Sequence, residues 1–281
     1  MDERGTRNRD ARSPFRHSPS GFRNDLDAEG VTAGALSENV LSVPERPHGR
    51  HAEATAVARS TTMQRDMDYD EEYTRTAELF GPSPERTLVR FWHLLERGRP
   101  VLDVGCGQGR NALYLARKGI RVDALDPSRV AVRSVEETAR REDLPVRTVC
   151  GRFLDLGAEP ASFDGVLVLG LVPDLPRPLV DELLPLVHAW SAPAGLLWLT
   201  VFTTADPCYE NHATHWTPVG RNSFQSPQGQ VRTYLEPMEL RSLFSAFEVV
   251  HYWEGLGPQH RHGGGPVERH AMAEAVFRKP E

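Results

Sequence analysis

Three glycines at alternate positions, Gly105, Gly107 and Gly109, follow directly on the short strand-like run of residues 101–104. Missing side chains at such points let a ligand lie against the backbone. A helix expected over residues 110–118 aims its free N-terminal N–H groups at the same spot. Asp126, 21 residues after Gly105 at the end of the next expected strand, is placed to accept hydrogen bonds from ribose hydroxyls. Strand, glycine triplet, helix, strand and acid in this order describe a nucleoside-binding crevice.

Two ligand classes compete for such a crevice. The dinucleotide fingerprint is G-x-G-x-x-G, whose third glycine lets a helix pack closely under a pyrophosphate. Here the run is GCGQGRN, with the third glycine one residue early, and Asp103 stands two residues before the first. An acid at that point repels a pyrophosphate and pairs with the ammonium of an amino-acid ligand. The loop therefore favours S-adenosylmethionine over a nicotinamide dinucleotide.

The elements that must position these residues alternate between helix and strand from residue 68 onward, the pattern of a mostly parallel α/β sheet. Leu88, Phe91, Trp92 and Leu95 share one face of a helix expected over 84–97. Strands are expected at 101–104, 121–125, 146–149, 165–169, 196–202, 248–253 and 269–277. Helices are expected at 110–118, 128–142, 178–190 and 237–245, the first of them stopped by Gly119. Residues 203–229 read as a long polar loop, and loops of that length inside a domain are usually functional or disordered. Tyr69, Tyr73 and Phe80, ahead of the first helix, are expected to form a lid.

Residues 1–66 read as a disordered tail, and 67–281 as one folded domain. Residues 1–60 hold nine Arg and nine Asp or Glu, with Phe15 and Phe22 as the sole aromatics, too little apolar surface to offset the entropy of ordering. A net charge of −6 argues against a nucleic-acid or anionic-membrane partner. The apolar runs fall far short of the roughly 18 residues a membrane span needs. No targeting signal is read in the sequence. Cys106, Cys150 and Cys208 are widely spaced and form no metal-ligand pattern, which places the chain in a reducing cytoplasm with no metal expected.

The chain resembles the class I S-adenosylmethionine-dependent methyltransferases over residues 69–279. Within them it is most similar to the tellurite-resistance (TehB-type) enzymes. The shared stretches are GQGRNALYLARKGIRVDALD at 107–126, TADPC at 204–208 and the pair His260-Arg261 before the last strand. The resemblance implies a three-layer Rossmann-like fold, with a seven-stranded, mostly parallel sheet whose last strand is antiparallel. It implies that Asp103, Gly105, Gly107 and Gly109 hold the methionine part, with Arg110 and Asn111 beside its carboxylate. Asp126, followed by Pro127, would take the ribose. Arg152 and Phe153 stand where the adenine is held, leaving either Asp155 or the Phe153 N–H to meet the edge of the base. Leu169 and Gly170 would floor the methyl-transfer site. His260, Arg261 and Arg269 match the residue types associated with catalysis, two Arg neutralising an oxyanion while His260 moves a proton.

Methyl transfer from a sulfonium is an in-line displacement, so the protein aligns and desolvates the nucleophile. Acceptor residues are expected at the carboxyl ends of the strands, with Cys208, Tyr209, His212, His215 and Trp216 in residues 203–229 as candidates. A small soft or anionic acceptor, a chalcogen oxyanion or thiol, needs little acid–base help. An oxygen or nitrogen of a larger metabolite is the alternative, for which Tyr209, Trp216 and Phe224 offer an aromatic pocket. A non-catalytic or NAD-binding Rossmann-like protein is the third reading.

Overall fold

The computed structural model describes residues 69–96, 98–259 and 267–281. The tail expected over 1–66 lies outside the described residues, as do His260 and Arg261. The first element is a short helix, α1 (Tyr69–Arg75), whose acids Asp70, Glu71 and Glu72 face its positive end while Arg75 pairs with Glu71 at 2.9 Å. Helix α2 (Arg86–Phe91) is shorter than the sequence periodicity suggests, because a tighter 3-10 turn continues it through Leu94.

The α/β alternation then runs as expected. It comprises β1 (Val101–Val104), α3 (Arg110–Arg117), β2 (Val122–Asp126), α4 (Arg129–Arg141), β3 (Val146–Cys150), β4 (Phe163–Val168), α5 (Arg177–Trp190) and β5 (Ser191–Thr203). Ser128 caps α4 by accepting the Ala131 N–H at 3.1 Å. The strands β3-β2-β1-β4-β5 lie side by side and parallel. At the far side β10 (Ala271–Arg278) runs antiparallel to β5, and β9 (Glu248–Leu256) runs antiparallel to β10. These seven strands are the ones the sequence predicts, β10 being the antiparallel one.

Among the described residues the sheet has ten strands rather than seven. The additional three come from the segment read as a polar loop and the residues just after it. That stretch folds as helix α6 (Tyr209–His215) and strands β6 (Thr217–Gly220), β7 (Ser223–Gln225) and β8 (Val231–Leu235), before α7 (Glu239–Leu243). The three strands form an antiparallel meander, and β8 joins the main sheet beside the end of β5 through Tyr234 on Phe202 and Leu235 on Thr203. Polar composition hid these strands. Their order comes from side chains such as Ser223 and Thr233, fully buried and hydrogen-bonded to each other at 2.6 Å.

Side-chain alternation along the strands sorts the core into two layers. Leu102, Val104, Val166 and Val168 face α5, together with Leu197 and Leu199. Val101, Leu167, Leu196 and Trp198 face the opposite way, toward α2, α3 and α4. The sheet is thus covered on both faces, the three-layer arrangement that an all-buried parallel sheet requires. Crevices in such sheets open at the carboxyl ends of the strands, where β1 and β2 deliver the glycine loop and Asp126.

Candidate active site

The backbone folds into a cradle at the end of β1. Gly105 and Cys106 donate their N–H groups to Leu125 O at 2.8 and 3.0 Å, fastening the loop to β2. Gly107 adopts φ +51°, a left-handed conformation, and a Cβ there would meet the Tyr73 hydroxyl at 3.0 Å. Its N–H donates to Asp126 Oδ2 at 2.8 Å, while Asp126 Oδ1 accepts the Ser128 N–H at 2.9 Å. Burial pushes the Asp126 carboxyl above its ordinary range, the Ser128 and Gly107 N–H groups oppose this, and Asp70 adds to it. Each oxygen retains a lone pair for a further donor.

Asp103, in the middle of β1, is 1% exposed, and its Oδ2 has no hydrogen-bond partner among the described residues. Burial pushes this carboxyl up to about 7, with Arg110 lowering it, Asp126 raising it and the Ala112 N–H lowering it. A buried carboxylate oxygen left without a donor is costly, and a cationic ligand group at hydrogen-bonding distance would satisfy it. Together with the glycine cradle, these two acceptors, Asp103 and Asp126, fit an amino-acid ammonium and a ribose, the two recognisable parts of S-adenosylmethionine.

The cleft in front of the cradle has a volume of about 1040 Å³, and Tyr73, Gly107, Asp126, Phe153, Leu169 and Arg232 are among its walls. Tyr69, Tyr73 and Phe80, expected to form a lid, line this cleft together. Tyr73 is buried over Gly107, Tyr69 stacks on Tyr73 at 5.8 Å, and Phe80 meets Tyr73 edge-on. Residues within and after the glycine run contact the lid segment. Gln108 accepts the Leu79 N–H at 2.9 Å and donates to Thr76 O at 3.1 Å. Arg110 and Asn111, expected beside the cofactor carboxylate, line the cleft, but their polar groups are engaged by the lid segment. Arg110 pairs with Glu85, and Asn111 Oδ1 accepts the Glu85 N–H at 2.9 Å. Gln108→Ala is expected to speed proteolytic cleavage within residues 75–85 about tenfold by limited digestion, since two hydrogen bonds tether that loop to the cradle.

The opposite wall holds the other expected cofactor residues. Pro127 and Phe153 line the cleft, Pro127 exposed at its rim and Phe153 buried. Arg152 forms an exposed ion pair with Asp155 at 3.0 Å, so the acid considered for the adenine amino group is engaged by its neighbour. Leu169 is buried, and the Gly170 N–H donates to Thr200 Oγ1 at 2.7 Å, holding the chain after β4 against β5.

The expected catalytic residues fare differently. Arg269 is exposed and lies outside the cleft walls described above. Its Nε donates to Gly257 O at 2.7 Å, so this guanidinium closes the neck of the segment between β9 and β10. That neck stands at the carboxyl end of β5, since Met272 pairs with Phe202 and Ala271 with Leu256. Cys208 is exposed, and burial of its thiol together with Asp206 and Glu268 pushes its pKa up, away from thiolate character. His212 shares a 2.6 Å contact with the Tyr234 hydroxyl and stacks on Trp216 at 3.9 Å. His215 Nδ1 lies 2.9 Å from Asn211 O.

Sequence reasoning missed two polar groupings. His270 is buried against Phe202 at 4.1 Å, its Nδ1 2.9 Å from Asp206 Oδ2. Asp206 also accepts the N–H groups of Cys208 and Ala271, so one carboxylate ties the end of β5 to the start of β10. At the cleft itself, Asp174 accepts the Tyr69 hydroxyl at 2.9 Å and pairs with Arg232.

Residues 101–195 match the family model described as a methyltransferase domain. The chain is 32% identical over 197 residues to the tRNA U34 carboxymethyltransferase of Alcanivorax borkumensis, covering 65% of this chain and 58% of that protein. The crystal structure of TehB from Haemophilus influenzae superposes with a TM-score of 0.57 at 20% identity, over 75% of this chain and 66% of that one. A Burkholderia thailandensis 1,6-didemethyltoxoflavin-N1-methyltransferase, solved with S-adenosylhomocysteine, gives a TM-score of 0.52 at 23% identity, over 84% of this chain and 93% of its own. The chain spans about half the length of the curated relatives it matches. Residues 101–195 are thus a methyltransferase domain, in a chain with the fold of the class I S-adenosylmethionine-dependent methyltransferases.

Proposed function

We propose that the protein transfers a methyl group from S-adenosylmethionine to a small soft or anionic nucleophile, such as a chalcogen oxyanion or a thiol, with residues 67–281 as the catalytic unit. The observation that carries the cofactor half is the buried, unpartnered oxygen of Asp103 beside the glycine cradle and Asp126. When bound, the cofactor supplies an electrophilic methyl on a sulfonium. The chain would pair Asp103 with the ammonium, accept the ribose hydroxyls at Asp126, and exclude water with Tyr69 and Tyr73. In this reading the His260-Arg261 pair acts on the acceptor, the role that the resemblance implies for these residue types.

The reading of a larger metabolite rested on an aromatic pocket from Tyr209, Trp216 and Phe224. Those rings are used internally instead. Tyr209 packs edge-on against Phe224 and Tyr234, Trp216 stacks on His212, and none of the three is a wall of the cleft. That supports a small acceptor. The test is turnover of a tellurite, selenite and thiol panel by the full chain. Rates at background for all three, with turnover of a phenol or amine, would reject the small-nucleophile reading.

Asp103 also gives the site a pH signature. Burial pushes its carboxyl up to about 7, and it must be ionised to meet an ammonium. Binding therefore expels a proton below that pH and expels none above it. Affinity for S-adenosylhomocysteine is expected to fall by up to about tenfold per pH unit below 7 and to stay flat above. Calorimetry across that window checks this, and Asp103→Asn should abolish the slope.

A further inference from the structure

Helix α1 is fastened on two sides by adjacent residues. On the ribose side, Asp70 accepts the Ser128 hydroxyl and, at 3.4 Å, the Val130 N–H, immediately after Asp126 in the chain. On the other side, the Tyr69 hydroxyl donates to Asp174 Oδ2 at 2.9 Å. Asp174 ends the turn that follows β4, and its Oδ1 accepts Nη1 of Arg232 on β8. Tyr69, Asp174 and Arg232 all line the cleft, and Tyr73, on the same helix as Tyr69, stands over Gly107. One carboxylate thus joins the lid, the turn after the fourth strand and the added β-meander.

Burial and the adjacent Asp174 raise the Tyr69 phenol far above its ordinary value, so it stays protonated and remains a donor. Its bond to Asp174 is charge-assisted and part-buried, a setting that strengthens a single hydrogen bond.

We propose that Asp174 is a positioning residue that clamps helix α1 shut over the cleft through Tyr69, while Arg232 holds the carboxylate from the meander side. The role of the clamp in retaining ligand rests on the reading of the cleft as an S-adenosylmethionine site. The clamp sets how long a nucleoside product remains bound, and it couples lid closure to the acceptor end, because the same carboxylate fixes β8.

The test uses Tyr69→Phe and Asp174→Asn in the full chain, with hydrogen exchange of residues 69–75 and stopped-flow dissociation of S-adenosylhomocysteine as readouts. Both variants are expected to exchange α1 amides about tenfold faster in the ligand-free protein and to release S-adenosylhomocysteine about tenfold faster, the loss of one hydrogen bond to a charged group. The double variant should add little to either single one. Unchanged exchange in Tyr69→Phe, which keeps the fold's charges intact, would overturn the clamp. Faster exchange with unchanged dissociation would overturn its role in ligand retention. A wild-type protein that binds no S-adenosylhomocysteine would reject the cofactor reading instead, and the exchange experiment would still decide the clamp.

Discussion

Asp126→Ala is expected to weaken S-adenosylhomocysteine binding by at least about 100-fold. The carboxylate does two things at once. It accepts the Gly107 N–H at 2.8 Å and the Ser128 N–H at 2.9 Å, shaping the cradle, and in the proposed reading its remaining lone pairs accept the ribose hydroxyls. Hydrogen bonds to a charged group are worth about 1.5–3 kcal/mol each, so losing two to the ligand alone costs about 3 kcal/mol or more, roughly 100-fold in Kd. The two buried N–H groups left without an acceptor add to the loss by loosening the loop. Asp126→Asn separates the effects. Its amide oxygen still serves one N–H, while its NH₂ opposes the other, so the fold survives and binding still drops. Isothermal calorimetry on both variants measures this, and a Kd within threefold of wild type for Asp126→Ala would place the ribose elsewhere.

The second large effect is expected on stability. Gly109→Ala should lower Tm by about 10 °C and abolish detectable cofactor binding. Gly109 has φ +86°, where an alanine costs about 1–2 kcal/mol. A Cβ there would also lie 2.7 Å from Val135 Cγ2, on α4. Val135 is fully buried and β-branched, so it has no alternative rotamer into which to retreat, and overpacking of this kind costs about 1–3 kcal/mol. The strain lies between α3 and α4, behind the loop, so relief comes by moving the glycine cradle. Differential scanning calorimetry gives the Tm. A Tm unchanged within error would mean that the loop tolerates a side chain, contrary to its geometry.

The parts of the site set by local backbone chemistry were legible in the chain. Glycine spacing, Asp103 and Asp126 lie within 24 residues on two successive strands, and their roles follow from what a loop between strand and helix can do. Buried strands such as β1 and β4 read as short, mostly apolar runs, broken by Asp103 in the first and by Asp164-Gly165 in the second. The clamp was not legible. Tyr69 and Asp174 are 105 positions apart and Asp174 and Arg232 58 apart, and no periodicity links them. The meander was hidden because buried Ser223 and Thr233 carry polar side chains into a packed position by bonding to each other. Arg269 carries a contact the sequence did not show. Its residue type fits an oxyanion, and its Nε donates to the Gly257 carbonyl, a partner that only the β9–β10 pairing reveals. Arg110 and Asn111 show that matching a motif does not fix what the side chains hold, since here they grip the lid segment before α2.

A calorimetric titration of the full chain with S-adenosylhomocysteine, repeated with NADH, tests the central claim most directly. The glycine cradle with Asp103 behind it predicts one saturable site for S-adenosylhomocysteine, displaced by S-adenosylmethionine, and no heat with NADH. Binding of NADH with no response to S-adenosylhomocysteine would contradict the account at its root.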